Sequence, residues 1–147
     1  MSRDPRSRDA KNRADVTFQR CVPFVWVHDF EAGVAWYRDV MGFTEHFRVV
    51  CTEEEHGCDM SFAEMSRGGL DLHVSTCQCA GEVHVGTAYF RLDLENVKAL
   101  HDELAARGAH VWIPLRDHEW GIRDFTVMDP QGNRIELSGP VPDDDPL

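Results

Sequence analysis

The stretch EWGIRDFTVMDPQGNRIEL, residues 119–137, decides the fold. It reads as strand, tight turn, strand, with DPQGN at residues 129–133 supplying the turn residues between two β-branched and aromatic runs. Its last strand sets Glu136 between Ile135 and Leu137, so a half-buried strand turns the acid to the face opposite its apolar neighbours. An acid there is a solvated surface group, a metal ligand, or the counter-charge for a cationic ligand in a pocket. The remainder of the chain has to discriminate among these.

Working back from that hairpin, VWIPLR (residues 111–116) is a further strand. Before it, ENVKALHDELAARGAHV (residues 95–111) opens as an amphipathic helix with Val97, Leu100 and Leu104 on one face and Gly108 past its end. TAYFRLDL (residues 87–94) is the strand ahead of that helix. The second half is therefore β-α-β-β-β. The first half has the same order. CVPFVWV (residues 21–27) reads as a strand, and Asp29 stands as an N-cap for a helix with Val34, Tyr37 and Met41 at helical spacing and Gly42 as its stop. Strands follow over residues 45–51, 60–65 and 70–75, the last two broken by SRGG at residues 66–69. Laying GLDL (residues 69–72) on RIEL (residues 134–137) puts Asp71 on Glu136. The chain thus predicts an α+β fold of two βαβββ modules, about residues 21–76 and 87–139. A disordered tail over residues 1–20 precedes this 21–139 domain, and an acidic tail over residues 140–147 follows it.

A chain of 147 residues is about one domain. No apolar run approaches the roughly 20 residues that cross a bilayer, and the N-terminus lacks an apolar signal segment, so the expectation is a soluble cytoplasmic protein with no membrane partner. A net charge of −11 argues against a nucleic-acid partner and for attraction toward cations. Five cysteines, an odd number, do not describe a disulfide framework. Cys77 and Cys79, with His73 before them and His84 after, leave open a thiol- or metal-binding role, although zinc sites more often space their cysteines by two to four residues. The plainer reading is a loop carrying reduced thiols.

VAWYRDVMGF (residues 34–43), SRGGLDLHVS (residues 66–75) and the opening stretch resemble the vicinal-oxygen-chelate superfamily of glyoxalases, extradiol dioxygenases, fosfomycin-modifying enzymes and bleomycin-resistance proteins. They look most like its bleomycin-resistance and glyoxalase-related branch. The resemblance runs from about residue 22 to residue 138. It implies a cupped mixed sheet with the helices on its convex side and a ligand in the concavity, often at a homodimer interface. The metal enzymes of the superfamily place histidine on the first strand of each module and a carboxylate on the last. Carried over, these positions are Val22, Asp71, Tyr89 and Glu136, and both histidines are missing. That leaves no cofactor and no metal as the expectation, and no catalytic residue. The alternative is a metal-dependent lyase, isomerase or dioxygenase in which His73 joins Asp71 and Glu136.

Strand alternation sends Phe24 and Trp26, Asp71 and His73, and Tyr89 and Arg91 to the inward face, while Trp112 and Trp120 flank the last pair of strands. Trp36, on a helix, reads as core. Trp120 stands beside Gly121 in a loop context, and the resembling resistance proteins carry a tryptophan-glycine pair here at their drug-binding crevice. Aromatic faces with a few acids suit a planar, cationic small molecule. The expected function is sequestration of such a compound without chemistry.

Overall fold

A computed structural model describes residues 14–50, 61–76, 85–92 and 96–147 of the chain. They form the expected α+β architecture. The first module contains β1 (Phe24–Trp26), α1 (Phe30–Asp39), β2 (Thr44–Val49), β3 (Phe62–Arg67) and β4 (Leu70–Ser75). The second contains β5 (Thr87–Arg91), α2 (Val97–Ala106), β6 (His110–Asp117), β7 (Ile122–Met128) and β8 (Arg134–Pro140). Each module has its own four-stranded mixed sheet, ordered β1-β4-β3-β2 and β5-β8-β7-β6. In both, the first strand lies parallel to the last and the other pairings are antiparallel. The duplication holds to the residue. Tyr89 is opposite Glu136, and continuing the register from Phe24 opposite His73 two residues back sets Val22 beside Asp71.

Local chemistry explains where the helices begin and end. The Asp29 carboxylate accepts the Ala32 amide at 3.0 Å, satisfying a first-turn donor that α1 cannot satisfy itself. Past the end of α1 the chain turns through Gly42 at φ 75°, a left-handed conformation that favours glycine, and a Cβ there would also press on Arg67 Nη1 at 2.6 Å. That Arg67 nitrogen donates to the Met41 carbonyl at 2.7 Å.

One apolar core serves both modules. Val34 and Tyr37 of α1 and Val97 and Leu104 of α2 pack with alternate strand residues such as Leu72, Val74, Phe125, Val127, Ile135 and Leu137. Because side chains alternate across a strand, the residues between these lie on the opposite faces of the sheets. Two of the polar links between the modules involve buried or part-buried side chains on both sides. The buried Tyr37 hydroxyl donates to Asp129 Oδ2 at 2.8 Å, and Asn133 Nδ2 donates both to that oxygen and to the Trp26 carbonyl, each at 2.8 Å. Burial, reinforced by the Asp129 charge, pushes the Tyr37 hydroxyl pKa well above its ordinary value. The second link is the two-pronged Arg67–Glu103 pair, at 2.7 and 2.8 Å, on the wall of a cavity of about 460 Å³ shared by β3, β5 and α2. Arg67 holds the Glu103 carboxyl below the usual carboxylate range.

The termini differ in how they are held. Residues 14–20 are exposed and outside helix and strand, yet Arg20 pairs with Asp71. At the other end, Arg123, only 1% exposed, donates to Asp117 at 2.6 and 3.1 Å and to the Asp145 carbonyl at 2.6 Å. The Leu147 amide also reaches Asp117, at 2.9 Å. The acidic segment from residue 140 onward is thus tied back along β6 and β7, with Pro140 still inside β8. Cys77, Cys79 and His84 lie outside the described residues, as do residues 1–13. Cys21 is an exposed free thiol. No helix of the structure is long and apolar enough to cross a membrane, among the described residues.

Candidate functional site

The strand residues singled out from the sequence fall on the sheet faces turned away from the helices. On the first sheet these are Phe24 and Trp26 of β1 with Asp71 and His73 of β4, since Phe24 is opposite His73 and Trp26 opposite Ser75. On the second sheet they are Tyr89 and Arg91 of β5 with Glu136 of β8. Trp112 shares that face, because the Arg134 guanidinium lies over its ring at 3.9 Å. β1 and β5 are edge strands, and a cleft of about 310 Å³ is lined by both, in part through Cys21, Phe24, Thr87 and Tyr89.

Several of these groups have partners that the sequence did not disclose. Asp71 is engaged by Arg20 of the N-terminal arm. His73 meets Glu64 Oε2 at 3.2 Å and is boxed by two rings, edge-on to Phe24 at 4.9 Å and stacked on Phe62 at 5.5 Å. Phe47 closes this aromatic floor against Phe62. Nearby, His46 Nε2 and Ser66 Oγ are 2.5 Å apart. On the second sheet the Ser138 hydroxyl donates to the Tyr89 oxygen. Trp120, 67% exposed in the β6–β7 turn, stacks flat on His118, which is bound in turn to Asp124. Glu136 is half-buried between Tyr89 and Thr126 on the neighbouring strands and takes no hydrogen bond or ion pair from the described residues.

The donor set does not suit a divalent ion. Asp71, His73 and Glu136 do not gather, and among the described residues no group of three His, Cys, Asp or Glu side chains is placed to hold a metal. The strand positions that would supply imidazoles are Val22 and Tyr89. Tyr89 is committed to Ser138, and Asp71 to a guanidinium.

The interactions missed from the sequence share one cause. Asp124 and Ser138 could have been read as facing away from the helices, since they are opposite each other and alternate with core residues. Their partners depend on which side chains reach across strands, and spacing alone does not give that.

Paired βαβββ modules, each first strand parallel to its last, leave on each sheet an aromatic and acidic face turned away from the helices. The family model for the Glyoxalase/Bleomycin resistance protein/Dioxygenase superfamily matches residues 17–137, and the chain belongs to this superfamily. It is 30% identical over 124 residues to a bleomycin resistance protein of Geobacillus stearothermophilus, covering 79% of this chain and 92% of that one. Among solved structures it is similar to the bleomycin-binding protein of bleomycin-producing Streptomyces verticillus complexed with copper(II)-bleomycin, at 25% identity and a TM-score of 0.58, covering 83% of this chain and 96% of that chain. The lactoylglutathione lyase of Agrobacterium tumefaciens shares the fold, with a TM-score of 0.64 at 19% identity over 82% of this chain and 92% of that one.

Proposed function

We propose that this protein binds and sequesters an antibiotic of the bleomycin kind, a compound with a planar aromatic portion and a cationic group, without chemically altering it. The observation that carries this reading is Glu136. A carboxylate taken partly out of water without a compensating donor is unfavourable, and a bound cation removes that cost. Tyr89 beside it and the exposed Trp120 at the turn offer ring faces for the planar portion. The names of the relatives, bleomycin resistance and bleomycin binding, support the same ligand class. The net charge of −11 raises the local concentration of a cationic compound.

In this reading residues 21–139 are the binding domain, and the cup closes between two copies of the chain. The open sheet edges at β1 and β5 and the exposed rings of Phe24, Tyr89 and Trp112 support a second copy as the cover. Calorimetric titration of metal-free bleomycin into the purified protein, with light scattering on the same sample, tests both parts. Saturable one-per-chain binding by a dimer is expected. Absence of binding heat and of any thermal stabilisation by the drug would remove bleomycin from the reading, and a monomer at micromolar concentration would remove the shared cup.

A further inference from the structure

We propose that His118 is a positioning residue for Trp120: it pins the indole so that one planar ligand group stacks on the outward face alone. The proposal rests on the binding function above and adds to it the group that prepares the ring.

An aromatic side chain two-thirds exposed in a turn, next to a glycine at φ 86°, would ordinarily sample several rotamers. Trp120 instead lies against the His118 imidazole, with ring centroids 4.3 Å apart and planes inclined by 15°. His118 is held in its turn. Its Nε2 is 2.7 Å from Asp124 Oδ2, and because an ionised carboxylate only accepts, Nε2 carries the proton and donates it. The Asp124 side chain is 8% exposed, and its other oxygen accepts from Arg116 Nε at 2.9 Å, so the carboxylate is fixed from two sides. The His118 backbone closes the turn as well. Its amide donates to the Ile122 carbonyl at 2.8 Å, and its carbonyl accepts the Gly121 amide at 3.0 Å.

Arg116, Asp124, His118 and Trp120 therefore form a continuous chain from the buried sheet to an exposed ring. Two consequences follow for recognition. The indole face toward His118 is already covered, so Trp120 accepts one ring and cannot be flanked by ligand on both sides. The indole is also ordered before any ligand arrives, which lowers the entropy lost on binding.

Fluorine NMR of protein labelled with 5-fluorotryptophan resolves the four tryptophans, and the Trp120 signal is identified by its loss in Trp120→Phe. In the ligand-free protein, His118→Ala should move and narrow the Trp120 signal toward that of a free indole, while His118→Phe, which keeps a stacked ring, should retain most of the wild-type shift. Titration with metal-free bleomycin should show affinity weakened about two- to twelvefold by His118→Ala, the cost of ordering one freed side chain, and largely restored by His118→Phe. An unmoved Trp120 signal in His118→Ala overturns the proposal. So does a moved signal with unchanged affinity. If wild type binds no bleomycin, the functional reading fails, and the fluorine signal alone then decides whether His118 pins the ring.

Discussion

Replacing Glu136 by glutamine removes the negative charge and keeps the shape of the side chain, so it isolates the electrostatic part of ligand capture. Two unit charges 4 Å apart attract by about 4 kcal/mol at the effective dielectric of a protein surface, a gross figure from which the desolvation of both partners must be taken. A hydrogen bond to a charged group nets about 1.5–3 kcal/mol, which is the appropriate scale for a half-buried acid meeting a ligand cation. The dissociation constant of a cationic antibiotic should therefore rise roughly 10- to 150-fold in Glu136→Gln. Salt provides the second axis. Raising ionic strength from 0.1 M to 1 M shortens the screening length from about 10 Å to about 3 Å, so wild-type affinity should fall with salt more steeply than that of the variant. Asp71→Asn is the internal control: its carboxylate already carries Arg20, and its loss should weaken binding much less. Calorimetry of the three proteins at two salt concentrations checks the whole scheme. Equal affinity and equal salt dependence for Glu136→Gln and wild type would refute the assignment of Glu136 to the ligand.

Trp120→Ala should weaken binding of the same compound by about 1–3 kcal/mol while leaving the thermal midpoint nearly unchanged, because a side chain so exposed carries little packing. Tyr37→Phe removes a buried donor to Asp129, and a loss of about 1.5–3 kcal/mol in denaturant unfolding is expected, although Asp129 keeps its bonds to the Gln131 and Asn133 amides. The Arg123 guanidinium beside Asp117 holds that carboxyl below its ordinary range, so its stabilising contribution is present above the ordinary carboxylate pKa and is lost as pH falls through the lowered folded value. Unfolding measured from neutral pH down to about pH 2 should accordingly show a shallower acid loss in Asp117→Asn, which starts less stable by about 3 kcal/mol because Arg123 is left buried without its counter-charge.

The fold was legible because its signals are local. Asp29 caps α1, Gly42 turns the chain after it, DPQGN makes the β7–β8 turn, and alternation across IRDFTVM and RIEL separates the core face from the opposite one. Alternation also assigned Phe24, Trp26, Asp71, His73, Tyr89 and Glu136 to the faces they occupy. What stayed hidden is pairing across strands. Glu64 with His73, Arg134 with Trp112 and Asp124 with His118 each need the register between strands and the reach of a long side chain, and these are fixed only when the sheet assembles. Arg20 with Asp71 needs still more, the course of an arm that belongs to no strand.

That last contact shows why a duplicated sequence does not make duplicated sites. Asp71 and Glu136 occupy equivalent positions, each on the last strand of its module and each beside the first strand. Equivalence of backbone position would give two acids of equal standing. The N-terminal arm breaks the symmetry, since it precedes the first module and places Arg20 on Asp71, whereas the segment joining the modules puts no described cation on Glu136. The second sheet adds its own asymmetry by stacking Arg134 over Trp112 and leaving Trp120 outward on His118. A cation entering the first sheet's face must displace a guanidinium from Asp71, while one reaching Glu136 displaces no cation of the described residues. With the same Coulomb attraction on offer at both acids, the site that breaks no described ion pair binds a cation more tightly, so under the proposed function a cationic group should favour Glu136, with the rings of Phe24, Phe47 and Phe62 as the first sheet's contribution.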